Sequence, residues 1–352
     1  MMADAPIGVL IVDDSATVRA VLRRLVAAAP GMRVVGEAAD GAQGVEAAVR
    51  LTPAVILMDV EMPVLDGFAA TERIMALCPT PILVITSRAN RNQVQTAFEA
   101  IRRGAVEVLP KPEDAEGWGL MARTLPIAIR AAAQARVASG GARGRGAATG
   151  AQPQAAAVAL PPQVRYVAVG ASTGGPSALR DLLAALPPAP PAAILIVQHI
   201  AAGFEEGLTE WLAADLGRDV QIAADGEAAA PGKVRIAPGG AHLRLVAGGV
   251  LRVDAARPPR GVHRPSADEL FESCAACCPT QTAGVLLTGM GTDGAQGLAA
   301  LRRAGGFTMV QDEVSSVVFG MPRAALAAKA ATIALPPHEL GKLLARIWSG
   351  GA

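Results

Sequence analysis

At 352 residues the chain has room for two or three domains, each large enough for its own core. Lys plus Arg (32) almost cancel Asp plus Glu (31), leaving a net charge of +1, so no global field draws the protein to nucleic acid or to a membrane surface. Apolar residues make up 51%, yet no uncharged apolar run reaches the roughly 18 residues a membrane span needs, and Asp4, Asp13 and Asp14 break up any apolar leader. A soluble, cytoplasmic protein is expected, without membrane insertion and without a nucleic-acid partner.

Five short apolar runs in the first third read as strands: Ile7 to Val12, Met32 to Ala38, Pro53 to Met58, Ile82 to Ile85 and Val106 to Leu109. Four of them end on chemistry. The first meets Asp13 and Asp14, the third Asp59, the fourth Thr86 and Ser87, and the last Lys111 and Pro112. Helices are expected between them. Ser15 caps one with Val18, Val21, Leu22 and Leu25 on its apolar face, and Gly41 to Leu51, Gly67 to Leu77 and Asn90 to Arg103 fill the other gaps. Strand-helix alternation predicts a parallel sheet, whose ligands gather outside the strands' carboxyl ends. Three carboxylates, a hydroxyl and an amine would then share one rim. A turn or helix cap is the alternative for any single Asp. Together they suit metal-assisted phosphoryl transfer to a carboxylate. Asp59 is the preferred acceptor, Mg2+ sits among the carboxylates, and Lys111 and Thr86 face the phosphoryl oxygens.

Residues 6–126 resemble a response-regulator receiver domain. The likeness rests on Val12-Asp13-Asp14-Ser15, Met58-Asp59-Val60-Glu61-Met62-Pro63, Asp66-Gly67, Thr86-Ser87 and Lys111-Pro112. It implies a flavodoxin-like fold with strand order 2-1-3-4-5 and phosphorylation at Asp59. It also implies Mg2+ on Asp14, Asp59 and the Glu61 backbone carbonyl, with Asp13, Thr86 and Lys111 in support. Val108 stands where receivers often carry an aromatic residue, three positions before the lysine.

From residue 127 to 162 the composition shifts to Gly, Ala, Arg, Gln and Pro, and no hydrophobic period survives beyond about 136. Such a segment cannot bury enough surface to order itself, so it reads as a flexible linker. Arg143 and Arg145 could touch phosphates, but a solvated tether is the preferred role.

The remainder, 163–348, has its own logic. A strand over Arg165 to Val169 leads into Gly170-Ala171-Ser172-Thr173-Gly174, and Gly175-Pro176 opens a helix with Leu179, Leu182, Leu183 and Leu186 on one face. This is G-x-S-x-G at a strand-to-helix turn, a geometry that exposes a serine hydroxyl beside backbone N–H groups. Gly-Ser turns also bind phosphates at helix starts, so a base and an acid are needed. Of the four histidines, His199 follows the strand Ala193 to Gln198 and shares Ser172's end of the sheet. His242 opens a hairpin turning at Gly248-Gly249 and is the second choice, on the substrate side. His263 lies in a proline-rich loop, and His338 begins the last helix. For the acid, Asp293 follows the strand Gly284 to Leu287 within Thr288-Gly289-Met290-Gly291-Thr292-Asp293-Gly294. It is preferred to Asp312, which follows Phe307 to Gln311, and a cap on the next helix is the alternative role for Asp293. Ser266-Ala267-Asp268-Glu269 reads as a capping box, and Leu270, Cys274, Cys277 and Cys278 share a face of the helix it opens. Core packing is favoured there over half a zinc site.

Residues 163–348 resemble the catalytic domain of the chemotaxis protein-glutamate methylesterases, the CheB family. The motifs are Gly170-Ala171-Ser172-Thr173-Gly174-Gly175, Gln198-His199, Ala237-Pro238-Gly239, Pro265-Ser266-Ala267-Asp268, the loop Leu287 to Gly294, and Gln311 to Pro322. Ile200-Ala201 replaces the Met-Pro that usually follows the family's histidine. The likeness implies a doubly wound, mostly parallel α/β domain with Ser172, His199 and Asp293 as a triad and an oxyanion or substrate region near Thr173 and Met290. The implied reaction is hydrolysis of glutamyl methyl esters on chemoreceptors, releasing methanol, alongside deamidation of receptor glutamines. It needs no cofactor for ester hydrolysis and takes a chemotaxis histidine kinase as phosphodonor. The tether would let the unphosphorylated receiver cover the Ser172 rim. Two alternatives are a receiver-linked non-catalytic scaffold, disfavoured by the intact triad, and a DNA-binding regulator, disfavoured by a neutral, strand-containing effector.

Overall fold

A computed structural model of the chain describes residues 5–86, 98–135, 161, 163–201 and 203–350. They fall into two compact units, 1–148 and 149–352. In the first, β1 (Ile7–Val12), α1 (Ala16–Ala28), β2 (Met32–Ala38), α2 (Gly41–Leu51), β3 (Val55–Asp59), α3 (Gly67–Leu77), β4 (Ile82–Thr86), β5 (Glu107–Pro110) and α4 (Ala115–Ala133) follow in order. The sheet order is β2-β1-β3-β4-β5, and every pairing is parallel. Covered on both faces, β3 and β4 are buried along their whole length, which is why they read as unbroken apolar runs without alternation. Ile56, Leu57, Ile82 and Leu83 are essentially inaccessible, each contributing about 1.5–3 kcal/mol of burial.

Helix starts here are capped by short polar side chains. Ser15 Oγ accepts from Val18 N (3.4 Å), Asp40 from Gln43 N (2.9 Å), Asp66 from Ala69 N (2.8 Å) and Asp114 from Gly117 N (2.7 Å). On α1 the buried residues are Leu22 and Val26, so the core stripe lies one position further on than the expected Leu25. Residues 98–102 are helical, while the earlier part of the expected Asn90–Arg103 helix and Ser87 lie outside the described residues. Helix α4 runs to Ala133 with Ile129, Ala131 and Ala132 buried, so 127–133 belong to the first unit rather than to the linker. Arg143 and Arg145 lie outside the described residues.

The second unit contains β6 (Tyr166–Ala171), α5 (Gly175–Ala184), β7 (Ala193–Gln198), α6 (Glu205–Leu216), β8 (Val220–Ile222), β9 (Val234–Ile236), β10 (His242–Val246), β11 (Val250–Asp254), α7 (Ala267–Cys277), β12 (Thr282–Leu286), α8 (Ala295–Arg303), β13 (Phe307–Gln311), α9 (Met321–Ala327), β14 (Ile333–Leu335) and α10 (Pro337–Trp348). Seven parallel strands run β14-β13-β12-β6-β7-β9-β8, and β10 and β11 form a separate antiparallel hairpin. The first strand, β6, lies at the centre, and the chain builds outward from it in both directions. The strand order therefore reverses at β6, where a doubly wound sheet opens a crevice at its carboxyl ends.

Helix α7 is the keystone beside that crevice. Its Leu270, Phe271 and Cys274 are fully buried with Leu243, Leu245 and Leu251 of the hairpin and Leu298 of α8. Ser273 Oγ accepts from Leu245 N at 2.9 Å, fixing the hairpin on the helix. Cys274 is core, and burial pushes its thiol well above the ordinary range. Cys277 and Cys278 are half-buried against the same core. Among the described residues, only Asp13, Asp14 and Asp59 group closely enough to hold a metal ion.

Candidate active site

In the first unit, the rim gathers the residues that the strand ends carry. Lys111 Nζ lies 2.8 Å from Asp13 Oδ2 and 2.7 Å from Asp59 Oδ2, while Asp59 Oδ1 accepts from Val60 N at 2.8 Å. Asp13 Oδ1 accepts from Ser15 N, and Thr86 is buried at the end of β4, its carbonyl accepting from Lys111 N at 2.7 Å. Oxygens of Asp13, Asp14 and Asp59 lie within 4.8 Å of one another. Burial, aided by the Asp13 charge, pushes Asp59 above the ordinary carboxylate range despite the Lys111 ammonium. Burial opposes the charge on Lys111, but its bonds to Asp13 and Asp59 hold it protonated. One ammonium is shared by two of the three carboxylates, and the hard oxygen donors fit a divalent cation. Glu61 is exposed just past β3.

In the second unit, Ser172 follows β6, His199 follows β7, and Asp293 lies in the loop after β12. The ladders continue past the strand ends: Ser172 N donates to Thr288 O (3.0 Å) and His199 N to Ala171 O (2.9 Å). Gly174 takes φ +77 to turn the chain from Ser172 into α5, and a Cβ there would meet Val317 at 2.5 Å. A Cβ at Gly289 would lie 2.6 Å from Ser172 Cβ, so only glycine lets the two loops close on each other. Buried Thr288 ties the nucleophile turn down, its Oγ1 donating to Thr173 O at 3.0 Å and accepting from Val318 N at 2.9 Å. Gln198 Nε2 donates to both Ser172 O and His199 O, each at 2.9 Å. Both Thr288 and Gln198 lie inside motifs quoted from the sequence, but nothing local in those motifs gives either residue its role.

His199 Nε2 lies 2.8 Å from Asp293 Oδ2. An ionised carboxylate only accepts, so the proton sits on Nε2 and the lone pair on Nδ1. That Nδ1 is buried and has no hydrogen-bond partner, and Ser172 Oγ is not bonded to it. Asp293 is more than an orienting group. Its Oδ1 also accepts from Ser266 Oγ (2.6 Å) and Asp268 N (3.3 Å), and its Oδ2 from Ala267 N (2.6 Å). Asp293 does cap a helix, but it is α7 and not the α8 that follows, whose start at Gly294 has no side-chain cap. Burial works to raise Asp293, yet the His199 bond and charge, with Ser266 and Ala267, hold it well below the ordinary carboxylate range. The expected capping box at Ser266 does not form, because the Ser266 hydroxyl is given to Asp293. Glu269 instead faces Arg244, Arg257 and Arg260.

Two other expectations change. His242 is fully buried, Nδ1 accepting from Ser266 N (3.2 Å) and Nε2 donating to Pro258 O (3.1 Å). With both nitrogens used it braces Ser266 and does not face a substrate. His263, set aside as a loop residue, stacks on His199 with ring centroids 4.0 Å apart and planes within 7°. Asp312, the alternative acid, accepts from Ser315 N and Oγ and so closes a turn after β13. Thr173 is buried and Met290 half-buried at the rim, while His338 is exposed on α10.

Residues 167–344 match the family model for CheB methylesterase, and 9–118 match that for the response regulator receiver domain. The protein-glutamate methylesterase/protein-glutamine glutaminase 4 of Geobacter metallireducens is 42% identical over 334 residues, covering 94% of this chain and 96% of that protein. A Myxococcus xanthus protein of the same name is 42% identical over 339 residues, covering 95% and 96%. Among solved structures, the Thermotoga maritima CheB methylesterase catalytic domain is similar over 53% of this chain and 99% of its own, at 34% identity and a TM-score of 0.51.

Proposed function

We propose, for a chain that belongs to the CheB methylesterase family and carries a response-regulator receiver domain, a phosphorylation-regulated hydrolase acting in the cytoplasm on methylated glutamates of chemoreceptors. Ser172 Oγ attacks the ester carbonyl while His199 Nδ1 takes its proton, and Asp293 holds the imidazole and offsets the charge it gains. Backbone N–H groups around Thr173 and Met290 face the developing oxyanion. Collapse expels methoxide, which leaves as methanol with the proton from His199, and water then frees the acyl-serine by the same steps in reverse. A glutamine side chain runs the same course with ammonia as the leaving group.

The observation that carries this reading is the His199–Asp293 pair, which leaves Nδ1 as a free base on the rim that Ser172 shares. Asp59 is the proposed phosphoryl acceptor from a chemotaxis histidine kinase. Lys111 and Thr86 face the phosphoryl oxygens, and Asp14, Asp59 and the Glu61 carbonyl hold Mg2+. The bound Mg2+ supplies positive charge that offsets the carboxylates and the incoming phosphoryl group. No described helix is long and apolar enough to cross a membrane, in keeping with action on receptors from the aqueous side. The test is methanol release from methylated receptor membranes. The wild-type chain is expected to release it and Ser172→Ala is not, and release undiminished in Ser172→Ala would overturn the assignment.

A further inference from the structure

The loop before α7 brings a second imidazole to the site, and its anchoring is unusually thorough. Arg260 and His263 exchange backbone hydrogen bonds, each at 3.0 Å, closing the loop into a tight bridge. The Arg260 guanidinium is bound to Glu269 at 3.1 Å and to Glu272, both on α7. Arg264 donates to the carbonyls of Ala255 and Arg257, and Gly240 N donates to Arg264 O. The same helix start that caps onto Asp293 therefore also holds the loop that carries His263 over His199. Two constraints on one base converge from one element: Asp293 in the plane of the ring, His263 on its face.

We infer that His263 is a positioning residue for the hydrolysis, its neutral ring stacked on His199 to fix the plane of the base and keep water off its face. This rests on the esterase reading of Ser172, His199 and Asp293. The Nδ1 that must take the Ser172 proton has no hydrogen-bond partner, so the plane of the ring, set by Asp293 at Nε2 and by the stack on its face, decides where its lone pair points. His263 suits the part because it stays uncharged. Burial lowers its pKa, the facing His199 lowers it further, and Asp293 opposes them without reversing the shift. Those two are the titratable groups acting on it, while Arg260 is occupied by Glu269 and Glu272.

Stacking requires a flat ring but not an imidazole, which makes the inference separable. In the full-length chain, His263→Ala is expected to lower kcat for methanol release about five- to tenfold, as losing one aromatic pair would, with KM within about twofold. His263→Phe restores the stack and is expected to bring back the rate. With four histidines in the chain, the His199 ring protons can be followed by NMR at a fixed pH without any substrate. The upfield ring-current shift that the stacked neighbour gives them is lost in His263→Ala and returns in His263→Phe. A folded His263→Ala with wild-type kcat and unmoved His199 ring resonances would overturn the inference, as would a folded His263→Phe as impaired as the alanine variant. Should the wild-type chain release no methanol, the esterase reading fails instead, and the ring resonances alone decide whether the stack holds His199.

Discussion

Two buried carboxylates lie at the carboxyl-end rims of the two sheets, Asp59 closing β3 and Asp293 in the loop after β12, and their surroundings tune them in opposite directions. Asp59 receives one backbone N–H and the Lys111 ammonium, and shares that ammonium with Asp13. Its charge is under-compensated, and its pKa is raised. Asp293 receives four donors, from Ser266 Oγ, Ala267 N, Asp268 N and His199 Nε2, and its pKa is depressed. The contrast teaches what each is suited for. A carboxylate left short of positive charge is suited to gaining a cation, as the proposed role of Asp59 requires. One saturated with donors stays ionised and keeps a histidine in one tautomer.

The largest expected effect tests the saturated side. Ser172→Ala should cut methanol release by about three orders of magnitude or more with the thermal unfolding midpoint unchanged, and a loss of only a few-fold would contradict the triad. Asp293→Ala should cut activity about 10^2–10^4-fold, and unlike Ser172→Ala it should also destabilise the unit by several kcal/mol, because it leaves the Ser266 and Ala267 donors unpaired beside α7. Wild-type stability in denaturant melts of that variant would mean the cap on α7 is energetically idle.

On the under-compensated side, Asp59→Asn should abolish phosphate incorporation from a small-molecule phosphodonor in Mg2+, and chelating the metal should stop labelling of the wild-type chain. Label that persists in the variant would point to another carboxylate. Removing residues 1 to about 140 should raise methanol release above that of the unphosphorylated full chain; equal or slower release would mean the receiver does not restrain the esterase.

The smallest effect lies between the two extremes. Burial, with the Asp293 charge beside it, pushes Asp268 up to about 6 from an ordinary 3.8, while Gly297 N–H partly opposes the shift. The folded chain thus keeps this proton over a window where the unfolded chain has lost it. The stability Asp268 contributes is full below pH 3.8 and is lost as the pH rises through 6. Asp268→Asn is therefore expected to raise the unfolding midpoint by about 2–4 °C near pH 7.5 and to leave it unchanged near pH 4, measured by calorimetry. Equal gains at both values would rule out the charge as the cause.

Much of this was legible because the decisive residues sit at strand ends. Val12, Met58, Val197 and Leu287 each close an apolar run, and the parallel-sheet rule then places Asp13, Asp59, His199 and Asp293 on rims. Lys111 and Ser172 follow the same rule. What escaped was held by contacts remote in sequence. A capping box assumes that Ser266 serves its own helix, but its hydroxyl answers a carboxylate 27 residues away. His242 opens a hairpin and is expected on the substrate side, yet the hairpin packs against α7 and the imidazole is buried. His263 sat among prolines that signal a loop, and nothing local indicates that Arg260, through Glu269 and Glu272, would carry that loop onto His199.

The proposed function joins the two rims in one enzyme, so its most direct test measures both at once: methanol release from methylated receptor membranes by the wild-type chain, Asp59→Asn and Ser172→Ala, each with and without phosphodonor in Mg2+. The expected result is release that the phosphodonor stimulates in the wild type, unstimulated basal release in Asp59→Asn, and none in Ser172→Ala under either condition. Release that ignores the phosphodonor in the wild type, or that survives in Ser172→Ala, would contradict it.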